Sequence, residues 1–222
     1  MKDSRRHPRA PSALPPALNR RLDLYALAAS AASVGLLVWA QPCEGKIIYT
    51  KTHQVIGTNG IYALDLNHDG TIDFLIQERG SPFLSSGDNG LAAKEAFGNA
   101  VQGANKLAVA LGRGAPIGSS QQFTTSTGSF GEVMFNIACS VESGCSTVGH
   151  WNNVSNRYLG LKFRINGEIH YGWARLSVEV QQGITATLTA YAYETIPNEA
   201  IRAGELSGGV EGASARSGLR SS

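Results

Sequence analysis

The C-terminal half of the chain contains three strand-like stretches joined by short turns, and this pattern constrains the fold more than any other feature. In the first stretch, Tyr158–Ile165, bulky residues alternate with polar or small ones after its start. It is followed by Asn166-Gly167, two residues that favour the positive φ angles of a tight hairpin turn. The pattern predicts an antiparallel meander in which this strand is followed by strands at Glu168–Val180 and Thr185–Glu194.

The remainder of the chain after residue 45 has the same character, with short apolar or alternating runs separated by Gly, Asn, Asp and Ser. Runs of this kind are typical of strands linked by turns. Five further strands are predicted, at Lys46–Tyr49, Gly60–Leu66, Thr71–Gln77, Lys106–Leu111 and Glu132–Cys139. We therefore expect an all-β fold, an antiparallel β-sandwich or a jelly-roll-like single domain, over residues 46–205.

Two parts of the chain give a weaker pattern. Between Arg79 and Ser129 the residues are mostly Gly, Ser and Ala, and one or two helical turns are predicted only at Leu91–Phe97. After Glu205 the sequence is rich in Gly, Ser, Ala and Arg and offers little to pack, so residues 206–222 are predicted to form a disordered tail.

The length of 222 residues, 42% of them hydrophobic, is sufficient for one domain with a real core. Residues 1–45 contain six Lys and Arg against three Asp and Glu, which leaves thirteen against fourteen from Lys46 onward. The basic pairs Arg5-Arg6 and Arg20-Arg21 both lie in the first segment. Because binding through nucleic-acid phosphates needs a clustered basic face, nucleic acid is not an expected partner.

Residues 1–45 have the order of an export signal. A basic, Pro-rich stretch, Met1–Arg21, precedes the apolar run Leu24–Ala40 and a polar break that ends at Gly45. In a signal peptide the positive end stays cytoplasmic while the apolar segment enters the translocon. The order predicts cleavage after Gly45 and a secreted, extracellular or periplasmic protein. The alternative is a membrane anchor formed by residues 24–40, because about 17 apolar residues reach the lower edge of spanning length.

Cysteine usage agrees with export. If Cys43 is removed with the leader, Cys139 and Cys145 remain, next to the strand-like runs Val133–Ala138 and Cys145–Trp151. Their spacing lets them face each other across a short hairpin, which predicts a disulfide in an oxidising compartment. Two free buried thiols, or a metal site with two cysteine ligands, are the alternatives.

The segment Asp65–Asp73 (DLNHDGTID) has oxygen-bearing side chains at its first, third, fifth and ninth positions and Gly at its sixth. Calcium takes six to eight oxygen ligands at about 2.4 Å, and alternate residues of a tightly turning backbone converge on one ion. The Thr71 carbonyl can add another ligand. The sequence therefore predicts a structural calcium site formed by Asp65, Asn67, Asp69, Thr71 and Asp73.

The loop matches only the first part of an EF-hand loop. Ile76 occupies the twelfth position in place of the bidentate Glu, and strands flank the loop, so an EF-hand is rejected in favour of a strand-loop-strand site. Three converging Asp carboxylates repel one another without a cation, which favours the metal. A metal-free Asx turn is the alternative. His68 occupies a non-ligand position and is expected to face solvent.

Two stretches resemble known families. The loop sequence ALDLNHDGTIDF, residues 63–74, resembles the aspartate-rich motif of FG-GAP-type repeats, although the chain has a single copy. The runs RYLGLKF (157–163), GEIHYGWARL (167–176) and AYAYETIPN (190–198) resemble the C-terminal half of exported bacterial β-sandwich proteins, many of the PEP-CTERM, exosortase-sorted kind. That resemblance covers most of residues 46–205 and implies a signal peptide and a sandwich fold, but no particular reaction.

One feature of that group is missing from this sequence. After Gly204 there is no PEP motif, apolar helix and basic end, so surface anchoring by that route is not expected.

Candidate acid or base groups are present, but no catalytic motif. These groups are His150, Glu168, His170 and Glu194. Glu168 and His170 share one face of a strand, a spacing that suits a metal pair or a proton relay. Packing of His170 among aromatic residues is the favoured interpretation. Since the chain has no Gly-x-Ser-x-Gly elbow, phosphate-binding Gly loop or zinc motif, we do not expect an enzyme.

The sequence thus favours a secreted, non-catalytic β-sandwich with a structural calcium loop and a cell-surface or extracellular role. A lectin-like carbohydrate-binding module is the first alternative, because Trp151, Tyr171 and Trp173 can stack on sugar rings if they are exposed. Its partners would be carbohydrate or other cell-surface components. A small extracellular hydrolase is the second alternative, and it requires a cleft with two titratable groups within hydrogen-bonding reach.

Overall fold

The computed structural model describes residues 45–80, 87–96, 98–126, 129–140, 142–181 and 183–207. In these residues the domain is all-β, as expected, with fourteen strands and no helix. The predicted signal segment up to residue 44 and residues 208–222 of the predicted tail lie outside the described part of the chain. No helix of a length and hydropathy that would let it cross a membrane occurs among the described residues.

The strands follow the chain in this order: β1 (Ile47–Ile56), β2 (Ile61–Leu64), β3 (Phe74–Arg79), β4 (Gly87–Glu95), β5 (Ala100–Ala104), β6 (Leu107–Ala108), β7 (Pro116–Ile117), β8 (Phe123–Thr124), β9 (Glu132–Ser140), β10 (Gly144–Gly149), β11 (Val154–Ile165), β12 (Glu168–Val180), β13 (Ile184–Glu194) and β14 (Ile201–Arg202).

Twelve of these strands form one sheet that bends until it is nearly closed. The order is β1-β13-β12-β11-β5-β6-β9-β4-β3-β2, with β8 paired to β5 and β10 paired to β9. Every pairing is antiparallel except the short contact between β6 and β9. The two ends of the order, β1 and β2, come into contact without being paired. The sheet therefore wraps around a common interior.

The predicted meander is confirmed as β11, β12 and β13. Asn166 and Gly167 have φ angles of 51° and 86°, as the tight turn between β11 and β12 requires. This turn sets a register in which Phe163 is opposite His170 and Gly160 is opposite Trp173. Because the side-chain period of a strand is two, this register also fixes which face of the meander each side chain occupies.

The inner face of the meander packs against the other half of the bent sheet. Leu159, Leu161 and Phe163 of β11 are fully buried against a cluster that includes Phe74 and Ile76 of β3. Burying each of these side chains stabilises the fold by roughly 1.5–3 kcal/mol. This cluster is the main core of the domain.

The outer face of the meander is buried as well, beneath two cover segments, residues 109–124 and 200–204. The segments are joined by the two-stranded sheet of β7 and β14. Trp173 on the outer face is 1% exposed, and Tyr158 packs edge-on against it at a centroid distance of 5.2 Å. Ile117 and Ile201 of the cover complete this second cluster. Much of the weakly patterned sequence before Ser129 therefore forms a packed layer.

Several predicted boundaries need correction. The helical turns expected at Leu91–Phe97 are wrong, because Leu91–Glu95 belongs to β4, which pairs with β3 and β9; Phe97 lies outside the described residues. Leu91, Ala92 and Ala93 are all fully buried. A strand buried on both faces gives a continuous apolar run instead of alternation, so its period cannot be told from that of a helix.

The other corrections concern strand lengths. The strand predicted at Lys46–Tyr49 extends to Ile56 as an edge strand with exposed polar side chains. The strand predicted at Gly60–Leu66 ends at Leu64, and the strand predicted at Thr71–Gln77 begins at Phe74, because residues 65–73 form the aspartate loop. The strand predicted at Lys106–Leu111 is reduced to β6 and a single bridge from Leu111 to Tyr158.

The predicted disulfide is present. Cys139 and Cys145 are directly opposite each other in the β9–β10 pair and form a disulfide bond. Cys139 is half-buried and Cys145 is exposed, at a hairpin that extends from the edge of the sheet. The bond therefore adds a covalent link to the backbone pairing that joins β10 to β9.

We expect the double variant Cys139→Ser/Cys145→Ser to lose about 2 kcal/mol of unfolding free energy, because the bond closes only a short loop in the unfolded chain. Urea denaturation followed by fluorescence of the buried tryptophans measures this loss. The wild type treated with a reducing agent is the control and should match the variant. An unchanged urea midpoint for the variant would contradict a stabilising role.

Candidate metal loop and adjacent cleft

The aspartate loop, residues 65–73, closes a hairpin between β2 and β3. Leu64 is paired with Phe74 across the base of the loop, and Asp73 donates its backbone N–H to the Leu64 carbonyl at 2.9 Å. Leu66 is fully buried. A Cβ added to Gly172 of β12 would lie 3.0 Å from Leu66 Cδ2. The loop is thus anchored against the meander by one apolar side chain.

Two carboxylates organise the backbone of the loop. Asp65 Oδ1 accepts a hydrogen bond from His68 N at 2.8 Å, and its Oδ2 accepts one from Gly70 N at 2.9 Å. Asp69 Oδ1 accepts one from Thr71 N at 2.7 Å. His68 and Gly70 have φ angles of 60° and 87°. These are the features of a tight Asx turn, in which short polar side chains bind the backbone that follows them.

The third carboxylate, Asp73, is buried at the far side of the loop. It is 5% exposed, and its Oδ2 accepts a hydrogen bond from Leu66 N at 2.9 Å. Burial, and to a smaller extent the negative charges of Asp65 and Asp69, raise its pKa to about 6. In contrast, hydrogen bonds from Asn67 and then Thr71 lower the pKa of Asp69. The three carboxylates lie close enough for their charges to act on one another.

The predicted calcium ligands are brought into one loop, but their oxygens are engaged in hydrogen bonds within it. Asn67 Nδ2 donates to Asp69 Oδ2 at 2.9 Å, so the amide directs its nitrogen towards that carboxylate. Among the residues that the structure describes, no group of three or more His, Cys, Asp or Glu side chains is arranged to hold a metal ion. The calcium site at Asp65, Asn67, Asp69, Thr71 and Asp73 therefore stays a prediction.

His68 is exposed, as expected, but it has partners that the sequence did not indicate. Its Nε2 lies 3.3 Å from Thr50 Oγ1 of β1 and 3.3 Å from the Tyr191 hydroxyl of β13. Its ring also packs against the Tyr191 ring at a centroid distance of 5.8 Å. Thr50 and Tyr191 are opposite each other in the β1–β13 pair. His68 therefore links the aspartate loop to the other end of the sheet, where the sheet nearly closes.

The three rings of the sugar-stacking alternative are not on the surface. Trp151, Tyr171 and Trp173 are 0%, 3% and 1% exposed. Trp151 donates its indole N–H to the Ala108 carbonyl at 3.1 Å, and Trp173 packs beneath the cover segments. These rings stabilise the core, and a sugar cannot stack on them.

A cleft lies between the β11–β12 turn and the chain that follows β13. Its volume is about 330 Å³, and its polar lining is Asn166, Glu168, His170, Tyr193 and Thr195, with Pro197 on its apolar side. Burial raises the pKa of Tyr193, and the negative charge of Asp69 adds to this shift. Tyr193 thus forms a wall of the cleft within electrostatic reach of the aspartate loop.

His170 is the most buried polar residue of this cleft, at 4% exposed. Its Nδ1 lies 3.0 Å from the Glu194 backbone carbonyl, and its ring packs 6.0 Å from Phe163. The predicted packing role is therefore confirmed. Because a carbonyl oxygen only accepts, Nδ1 donates in this contact, and Nε2 is an acceptor in the corresponding tautomer of the ring.

The candidate acid and base groups do not form a catalytic arrangement. No hydrogen bond joins the side chains of any two of these four described residues: His150, Glu168, His170 and Glu194. Glu194 is buried, and its Oε1 accepts the Ile196 backbone N–H at 2.9 Å. The hydrolase alternative requires two titratable groups within hydrogen-bonding reach, and these four do not provide them.

Comparisons with protein-family models, with curated proteins and with solved structures find no match for this chain. The function of the loop and of the cleft is therefore argued from their own geometry.

We expect His68→Ala to lower the unfolding free energy by about 1 kcal/mol, because it removes the contacts that join the aspartate loop to β1 and β13. Tyr191→Phe should remove one of these contacts. The double variant should therefore lose less than the sum of the two single losses when denaturation midpoints are measured.

His53→Ala is the matched control, since His53 is an exposed histidine of β1. Its stability should equal that of the wild type. Strict additivity of the His68 and Tyr191 substitutions would show that the two side chains do not act together.

Proposed function

We propose that the mature protein is a secreted, non-catalytic domain of the β-sandwich type whose aspartate loop binds one structural calcium ion. The observation that carries this proposal is that one nine-residue loop folds the carboxylates of Asp65, Asp69 and Asp73 into a tight turn, in which the charges of Asp65 and Asp69 act on the buried Asp73. Like charges held this close repel, and a divalent cation between them replaces repulsion with attraction.

The residues proposed to hold the ion are Asp65, Asn67, Asp69 and Asp73 through their side chains and Thr71 through its carbonyl. The Asn67 amide donates its N–H to Asp69. Binding would therefore require this amide to turn its oxygen towards the ion. The ion would stiffen the loop without performing chemistry. Because His68 connects this loop to β1 and β13, a stiffer loop would also hold the two ends of the sheet together.

Three features support the rest of the proposal. The disulfide Cys139–Cys145 is of the kind that persists in oxidising compartments outside the cytoplasm. The first 45 residues have the order of an export signal. The two halves of the bent sheet face each other across the main core, which supports the sandwich description. Together they favour a role at the cell surface or in the extracellular space.

We expect calcium to raise the melting temperature of the wild type by several degrees. A ligand at 100 times its dissociation constant stabilises the native state by about 2.7 kcal/mol, and about 1 kcal/mol corresponds to roughly 2–4 °C for a domain of this size. Asp69→Asn should remove most of this shift, because it removes one charge but keeps an acceptor for Thr71 N. The measurement is thermal unfolding of both proteins in calcium and in a chelator.

Glu199→Gln is the control, because it removes an exposed carboxylate elsewhere in the domain. It should keep the full calcium shift. Equal melting shifts for wild type and Asp69→Asn on adding calcium would rule out a role for this loop in calcium binding.

We expect the protein recovered from outside the cytoplasm to begin at Lys46, because cleavage is proposed after Gly45. N-terminal sequencing and intact mass of the exported form measure this. A variant in which Leu36 and Leu37 are both changed to Arg should stay in the cytoplasm with its first residues intact, because charges in the apolar run prevent entry into the translocon. An exported wild type that retains residues 24–40 would support the anchor instead.

A further inference from the structure

We propose that the cleft between the β11–β12 turn and residues 193–197 binds one neutral monosaccharide unit through neighbouring hydroxyl groups. This proposal rests on the described cleft alone and is independent of calcium and of export. The site differs from the aromatic platform considered from the sequence, which is buried.

The first step concerns the buried acceptor at the base of the cleft. His170 is 4% exposed, and its ring is fixed by the bond from Nδ1 to the Glu194 carbonyl. Among the residues that the structure describes, its Nε2 has no hydrogen-bond partner, and this atom is not fully buried. An oriented acceptor without a partner, in a residue that lines a cleft, is placed to receive a hydrogen bond from a ligand.

The second step concerns the acceptor beside it. Glu168 lies two residues before His170 on β12, so both side chains are on the same face of the strand. Glu168 is exposed, at the rim of the cleft, whereas His170 is at its base. A ligand that binds both side chains must present two hydrogen-bond donors, as the hydroxyl groups of a sugar do.

The third step concerns the charge of the ligand. The described residues that line the cleft include Glu168 but no lysine or arginine, so the Glu168 carboxylate would repel a phosphate or carboxylate ligand. A cationic amine would be attracted by Glu168, but it would have to lose its hydration to reach the buried ring of His170, which is costly. Hydroxyl groups are neutral and donate as well as accept, so they suit both His170 and the Asn166 amide.

The fourth step concerns the size and the walls of the cleft. A volume of about 330 Å³ is at the lower end of the range for small-ligand sites, which fits one sugar ring better than a longer oligosaccharide. Ile165 and Pro197 provide an apolar side against which the C–H face of a pyranose can pack. A transition-metal site is less suitable, because one imidazole and one carboxylate fall short of the usual four ligands.

The test uses the purified full-length chain and six neutral sugars: glucose, galactose, mannose, fucose, N-acetylglucosamine and N-acetylgalactosamine. Binding is followed by saturation-transfer NMR of the sugars and by backbone amide shifts of the labelled protein. We expect at least one sugar to give saturable shifts that centre on Asn166, Gly167 and Thr195. Glu168→Gln should weaken its affinity by about tenfold, since a neutral acceptor replaces a charged one.

Glu179→Gln is the matched control, because Glu179 is an exposed glutamate at the other end of β12. It should bind like the wild type. His170→Phe keeps a ring next to Phe163 but removes the acceptor, and it should abolish binding while amide spectra confirm the fold. If His170→Phe does not fold, Glu168→Gln and Glu179→Gln still decide the question, because both substitutions are on the surface.

The proposal is overturned if none of the six sugars gives saturable shifts in the folded wild type. It is also overturned if Glu168→Gln binds as well as the wild type, because the site would then lie elsewhere. Ethanolamine and zinc chloride serve as competing probes. If one of these probes shifts the cleft amides and no sugar does, the proposal of a sugar is wrong and the ligand is an amine or a metal ion.

Discussion

Burial of both faces of the β11–β13 meander is the constraint on which the rest of the structure depends. Trp173 is buried on the outer face and Phe163 on the inner face, so the middle of these strands is shielded from solvent on both faces, while their ends stay exposed. The inner face is buried because the opposite half of the sheet packs against it. This packing bends the sheet until its two ends come into contact. The outer face is buried because the two cover segments pack on it. This packing explains why residues 109–124, which have no clear strand pattern, lie against the meander. Hydrophobic burial thus determines where the loops lie.

The bend of the sheet brings together groups that are far apart in sequence. The aspartate loop begins at one end of the strand order, while β1 and β13 form the other end. His68 connects them with a side chain held in a left-handed backbone conformation at φ 60°. Only the Asx turn around Asp65 keeps that conformation in place, because Asp65 Oδ1 binds His68 N. The same carboxylates therefore shape the loop and position the contact between the sheet ends.

The parts of the fold that follow from local chemistry were predictable. Asn166-Gly167 predicted the turn between β11 and β12, and the alternation in Tyr158–Ile165 predicted a strand. The spacing of Cys139 and Cys145 predicted the disulfide. Leu91–Ala93 was misassigned because burial on both faces removes alternation. The partners of His68 and His170 could not be predicted, since they depend on how β13 aligns with distant strands. The residues of one strand alone do not determine which residues of another strand they will face.

Glu194 shapes the cleft through both its carboxylate and its backbone carbonyl. Its carboxylate accepts the Ile196 N–H, and Asn198 N donates to the Ile169 carbonyl at 2.8 Å, so the wall formed by residues 195–197 is held to β13 through Glu194 and to β12 through Ile169. The Glu194 backbone carbonyl meanwhile fixes the His170 ring. Both polar groups of Glu194 are therefore occupied in building the cleft. It is the backbone carbonyl of Glu194, and not its carboxylate, that contacts the His170 imidazole, so the side chains of these two residues do not form a proton relay with each other.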